Sequence, residues 1–187
     1  MTKHAMWIAV CLTLGCAGPV AAVELHWDQF CQPKIMGAYS VSFYQPIGQE
    51  FLPSYSQVDV VDLYLIASIT NDSTQVRVRL HHDTIDGPIV GTSDVVTLRQ
   101  TMDGVVRFTF APPAPTTPTE RHVIEVEFVG GAQNTMLGGG DSNGYAPGRP
   151  VLSGQFLMPN DFWFRTGVDR LVPVRQRTWG GVKSAYR

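Results

Sequence analysis

The sequence predicts an all-β fold, an antiparallel β-sandwich, and two observations support this. Short runs alternate apolar and polar side chains with a period of two, the spacing of a strand that has one face inward and one in water. Glycine and proline are frequent, with 18 and 13 residues among 187, and many lie between these runs, where turns are needed. Evenly spaced short strands with turns between them favour a sandwich of the jelly-roll type.

The individual strands follow from local patterns. Apolar residues take every second position in segments 76–80, 106–110 and 124–128. Segment 58–66 is apolar at most positions, as expected for a central strand that is covered on both faces. Segment 111–118 contains four prolines, so we interpret it as an extended surface connection and not as a central strand. We place His122 at an exposed sheet edge.

The bulk composition limits the classes of function. A chain of this length can form one domain with a sizeable core. Charged residues make up 16% of the chain and the formal net charge is −2. Nucleic-acid-binding proteins normally carry a basic surface, so we expect no nucleic-acid partner.

The first 22 residues resemble a secretory signal peptide. Lys3 precedes an apolar stretch over residues 5–14, and a small-residue cleavage site ends at Ala22. Because the apolar stretch is too short to span a bilayer, we expect export, cleavage after Ala22 and a mature chain without a transmembrane segment. Lipidation at Cys16 is the alternative. We favour ordinary cleavage because Thr13 stands where lipoprotein sites prefer leucine.

Two further segments complete the predicted organisation. Residues 23–167 form the β-sandwich domain, and residues 168–187 form either its last strand or a basic C-terminal tail used for sorting or docking. Cys31 is the single cysteine after residue 22, so it forms no disulfide within the mature chain. We expect it to behave as a small buried hydrophobic residue.

Catalytic signatures are missing from the sequence. It contains no G-x-S-x-G and no H-E-x-x-H. His81 and His82 adjoin Asp83, but neighbouring residues on a strand point to opposite faces. We therefore assign both histidines a structural or solvated role and predict that the protein is not an enzyme.

The segment from residue 138 to residue 165 holds the candidate binding residues. Its glycine-rich loop carries Asp141 and Asn143, and Asp161 follows it. These oxygen ligands suit calcium, so the sequence suggests a structural calcium site. An ordinary tight turn also explains the loop and is our preferred interpretation.

An aromatic run follows that loop. Trp163 lies between Phe162 and Phe164, so it faces outward if the phenylalanines belong to the core. A displayed tryptophan close to Tyr145 could stack on a sugar ring, and Asp161 and Arg165 would add polar contacts. The alternative is that Trp163 closes one end of the core with Arg165 stacked on it.

Several segments taken together resemble one recurrent exported bacterial module. They are GQEFLP at 48–53, VDVVDLYL at 58–65, GTS at 91–93, VRFTF at 106–110, GYAPG at 144–148 and DFWFR at 161–165. The pattern over residues 37–167 is similar to jelly-roll accessory modules of the galactose-binding-like or carbohydrate-binding-like kind. The resemblance implies a non-catalytic sandwich, although His122 stands where the pattern usually has tyrosine.

Three functions remain open from the sequence. The first is a secreted or cell-surface sandwich that binds carbohydrate or another surface polymer. The second is a structural envelope, matrix or adhesion protein without a small-molecule ligand. The third, a hydrolase or lyase, would need a site that the sequence does not show.

Overall fold

The computed structural model describes residues 21–68, 72–99, 101–140, 144–156 and 160–173. Leu25–Arg170 forms one compact unit. Most of the predicted signal peptide and residues 174–187 of the predicted tail lie outside the described residues.

The described residues form strands and turns, and none of them lies in a helix. The strands are β1 (Ala21–Cys31), β2 (Gly37–Ser40), β3 (Ile47–Phe51), β4 (Gln57–Ala67), β5 (Thr74–His82), β6 (Ile89–Thr92), β7 (Val96–Leu98), β8 (Met102–Pro115), β9 (His122–Gly131), β10 (Thr135–Gly139), β11 (Pro150–Leu152), β12 (Gln155–Phe156) and β13 (Phe164–Pro173). Accordingly, no described helix is long and apolar enough to cross a membrane.

Sheet A is built around β4. Its strand order is β1-β13-β4-β10-β2, and β8 also pairs with β4. On one side of β4, β8 pairs along most of its length. On the other side, β13 pairs with the first part of β4 and β10 with its last part, so that these two strands lie end to end. Where these two strands meet, the backbone N–H of Trp163 donates to the carbonyl of Gly138 at 3.0 Å. Residues from the two strands therefore form one continuous outer surface.

Sheet B has the order β12-β11-β3-β9-β5-β6, with β7 also beside β5. The two sheets are antiparallel and share one hydrophobic core, in which Phe51, Phe108, Phe162 and Phe164 are fully buried. The prediction of an all-β fold with two packed antiparallel sheets is confirmed.

The structure confirms the strands predicted from local patterns. The alternating segments 76–80, 106–110 and 124–128 lie in β5, β8 and β9, and most of their apolar residues are in the core. The apolar segment 58–66 lies in β4, the central strand of sheet A. The prediction that Phe162 and Phe164 are core residues is also confirmed.

Two predictions need correction. The proline-rich segment is not only a surface connection, since β8 continues to Pro115 and Ala114 pairs with Val58. His122 is not exposed, because it begins β9 between β3 and β5 and its relative exposure is 1%.

Candidate functional site

The outer face of sheet A combines aromatic and charged side chains. On β4, Val61, Leu63 and Leu65 belong to the core, so Asp62 and Tyr64 point to the opposite, outer face. Antiparallel pairing then fixes their neighbours on the same face.

Those neighbours are two arginines and a tryptophan. Asp62 lies opposite Arg165 of β13 on one side and Arg107 of β8 on the other. Trp163, two residues before Arg165, shares the outer face, and its ring centroid is 6.2 Å from that of Tyr64. The resulting surface crosses three strands.

Asp62 is the buried centre of this arrangement, with a relative exposure of 1%. Its Oδ1 accepts a hydrogen bond from Arg107 Nε at 2.8 Å, and its Oδ2 accepts one from Arg107 Nη2 at 3.0 Å. Oδ2 also accepts from Arg165 Nε at 2.9 Å. Paired hydrogen bonds to one carboxylate hold both guanidinium groups in fixed positions.

The guanidinium group of Arg165 lies close to two tryptophans. Its Cζ is 3.9 Å from the ring centroid of Trp27 and 5.7 Å from that of Trp163, both within cation–π distance. Trp27 belongs to β1 and lies over Gly167, where an added Cβ would come within 3.1 Å of its Cε3 atom. A glycine at this position lets the indole ring approach the sheet closely.

We call this surface the aromatic–arginine face. It comprises Trp27, Asp62, Tyr64, Arg107, Trp163 and Arg165. A surface pocket of about 180 Å³ adjoins it, lined by Trp27, Phe30, Gln32 and Arg165. Phe30 is 60% exposed, so the pocket is open and partly aromatic.

Two of the predicted ligand contacts have interior positions instead. Tyr145 is buried, and its ring packs edge-on against Phe164 with centroids 5.1 Å apart. Its hydroxyl donates to Gln29 Oε1 at 2.9 Å and accepts from the N–H of Leu52 at 3.1 Å. This side chain joins three segments of the fold and displays no stacking surface for a sugar ring.

Asp161 is also buried, with a relative exposure of 1%. Its Oδ1 accepts from Gln49 Nε2 at 2.9 Å, and its Oδ2 accepts from the N–H of Tyr145 at 2.8 Å. Burial raises the pKa of Asp161 above its ordinary value, while hydrogen bonds from Tyr145, Gln49 and Gly144 oppose that shift. The carboxylate therefore connects the loop between β10 and β11, through Tyr145, to Gln49 of β3.

The suggested calcium ligands have different outcomes. Asp141 and Asn143 lie outside the described residues. Asp161 accepts an N–H donor at each oxygen, which uses part of its capacity to accept hydrogen bonds or to bind a cation. Within the described ranges, no group of three or more His, Cys, Asp or Glu side chains is placed to hold a metal ion.

The adjacent histidines have separate partners, in agreement with the predicted opposite orientations. His81 Nε2 lies 2.7 Å from Glu125 Oε2, and its Nδ1 lies 3.0 Å from the carbonyl of Gly87. His82 Nε2 lies 2.8 Å from Glu120 Oε2. These contacts join neighbouring segments of the sandwich.

Sequence reasoning identified Trp163 and Arg165 but missed Trp27, Asp62 and Arg107. Asp62 and Arg107 could have been noticed, because each is a charged residue within a strand whose alternate positions are apolar. Trp27 gave no comparable signal, since its position depends on the pairing of β1 with a strand more than 130 residues later.

The comparisons with known proteins add no relative. No protein-family model matches the chain, and no curated protein matches it.

Proposed function

We propose that this protein is an exported, non-catalytic β-sandwich of the jelly-roll type that binds carbohydrate through the aromatic–arginine face. The observation that carries the proposal is the placement of Arg165 beside both Trp27 and Trp163 on the outer face of sheet A. The predicted signal peptide over residues 1–22 supports export.

The chemistry of the face suits a sugar ring. Indole rings bury the apolar C–H surface of a pyranose, and N–H groups of fixed arginines can donate to its hydroxyl groups. Arg107 remains half exposed although it is bonded to Asp62, so it can form further hydrogen bonds. Recognition thus combines apolar contact with oriented donors, as in many small-molecule sites.

A binding role is better supported here than a hydrolytic one. The Asp62 carboxylate is buried beneath two arginines, and a general base must reach the proton that it removes. The aromatic side chains contribute contact area and no nucleophile. The face therefore presents binding groups to a ligand.

A binding measurement with paired variants tests the proposal. A glycan array should identify bound glycans, and calorimetry should show that Trp163→Ala weakens their binding roughly tenfold, because losing an aromatic contact costs about 1.4 kcal/mol. Phe156→Ala is the matched control, since Arg149 also stacks on Phe156, at 3.8 Å, but on sheet B. No glycan binding, or equal losses in both variants, contradicts the proposal.

A further inference from the structure

A second surface pocket lies elsewhere on the outer side of sheet A. Its volume is about 320 Å³, and it is lined by Ser40, Ser68, Gln133, Asn134 and Met136. Met136 of β10 pairs with Ser40 of β2 and with Ile66 of β4. Because their neighbours Leu65 and Leu137 belong to the core, Ile66 and Met136 point outward.

This pocket and the aromatic–arginine face lie along the same outer side of β4. Tyr64 precedes Ile66 by two residues on the outer side of β4, and Gly138 follows Met136 by two residues on β10. A Cβ added at Gly138 would come within 2.9 Å of Tyr64 Cδ1. Tyr64 and Ile35, whose Cδ1 atom is 3.4 Å from the same position, thus lie low over the sheet at Gly138. We call the strip of outer surface along β4 between the two regions the path.

The path is long enough for several sugar rings. Trp27 lies over Gly167, which pairs with Val60, and the second pocket begins beside Ile66. Six residues of strand correspond to roughly 20 Å at about 3.3 Å per residue. A single sugar ring cannot reach both ends.

The charges of the path favour an uncharged ligand. The two arginines share the carboxylate of Asp62, and Asp103 accepts a hydrogen bond from the hydroxyl of Tyr64. The second pocket is lined by hydroxyl, amide and thioether side chains. No excess of positive charge is available among these residues to attract an anionic polymer.

We propose that the pocket at Asn134 is a second subsite, and that the outer face of sheet A binds an internal stretch of a linear, uncharged polysaccharide. The proposal rests on the carbohydrate-binding function proposed above. The tryptophans stack on one part of the polymer, and the amides of Gln133 and Asn134 hydrogen-bond to hydroxyl groups farther along it. Both amide residues are exposed, which leaves their side chains accessible to a ligand.

Calorimetry with oligosaccharides of defined length tests this inference. The probes are disaccharides and hexasaccharides of β-1,4-linked glucose, mannose and xylose, with a hexasaccharide of galacturonic acid as the charged comparison. We expect an uncharged hexasaccharide to bind at least about tenfold more tightly than its disaccharide. The double variant Gln133→Ala with Asn134→Ala should remove that advantage and leave disaccharide binding unchanged.

Gln75→Ala serves as the control, because Gln75 is an exposed amide on β5 of sheet B. Equal affinities for both lengths, an unchanged length advantage in the double variant, or tighter binding of the charged hexasaccharide each overturn the inference. In those cases a loss of glycan affinity in Trp163→Ala still supports the proposed function. If the array and every probe show no binding, both proposals fail.

Discussion

Asp62 organises the aromatic–arginine face although it is hidden from solvent. Asp62→Asn removes the charge and replaces one acceptor oxygen with an NH₂ donor that faces an arginine. We expect a loss of about 1.5–3 kcal/mol in the free energy of unfolding, the range for hydrogen bonds to charged groups. Urea denaturation measures that loss. Glycan affinity should fall as well, because Arg165 is no longer fixed over Trp27.

Glu127 provides the comparison for this prediction. It contacts Arg77 and Arg79 on sheet B, and it is more exposed than Asp62. Water can replace part of the ion pairing that Glu127→Gln removes, so this substitution should reduce the free energy of unfolding by less than Asp62→Asn does. Glycan affinity should not change. If Glu127→Gln weakens binding as much as Asp62→Asn, the site does not lie on sheet A.

Two buried histidines make opposite contributions to pH dependence. Burial lowers the pKa of His122. Burial also acts to lower the pKa of His81, but hydrogen bonds to Glu125 and Gly87 outweigh it, so that pKa is raised. As pH falls below about 6.5, the unfolded chain takes up a proton at residue 122 before the folded one does, so stability falls. As pH rises through the raised pKa of His81, the stability from its protonated form is lost.

We therefore expect stability to decrease on both sides of neutrality, and each decrease should depend on one histidine. His122→Gln should flatten the acidic side of the curve, and His81→Gln should flatten the alkaline side. Chemical denaturation repeated from about pH 5 to about pH 9 measures both effects. Unchanged slopes in the variants contradict this assignment.

At the scale of the strand, local patterns predicted which side chains face inward but not which strands are neighbours. The alternation of polar and apolar residues alone predicts that Arg107 and Phe108 point to opposite faces of the sheet. The partners of Asp62 lie 45 and 103 residues away, and no local pattern contains that pairing. This is why the sequence suggested Trp163 and Arg165 but not their contacts with the side chains of the other strands.

The errors on β8 and β9 have the same origin. Proline is tolerated on an edge strand, and only the topology shows that β8 pairs with β4 from an edge position. His122 is polar and begins a strand, yet it is buried because Phe51 and His82 lie opposite it on the two neighbouring strands. Burial at these positions depends on tertiary pairing.

Asp161, which binds the loop between β10 and β11 through Tyr145, allows a test of the calcium prediction. Asp161 accepts N–H groups at both carboxylate oxygens, so its contribution to stability should not require calcium. Asp161→Asn should lower the melting temperature by the same amount in calcium and in chelator. Thermal melts of both proteins in both conditions measure this, and the difference between conditions reports calcium binding elsewhere. If calcium stabilises the parent protein and Asp161→Asn abolishes that effect, Asp161 is a ligand after all.

For the molecule as a whole, one core joins both sheets of the unit Leu25–Arg170. The cluster of buried residues includes Val61 and Leu63 from sheet A, and Val78 and Ile124 from sheet B. Neither sheet can bury its inner face without the other. We therefore expect this unit to unfold cooperatively.

Cys31 can report that cooperative unfolding. Its thiol is buried and belongs to the shared core, and burial, together with the nearby charge of Asp161, raises its pKa to about 12. The thiolate is the reactive form, so iodoacetamide should label Cys31 only when the core opens. Peptide mapping separates this label from any at Cys11 or Cys16. The urea midpoint of labelling should coincide with that of tryptophan fluorescence, whereas labelling well below that midpoint shows that the β1 side of the core opens independently.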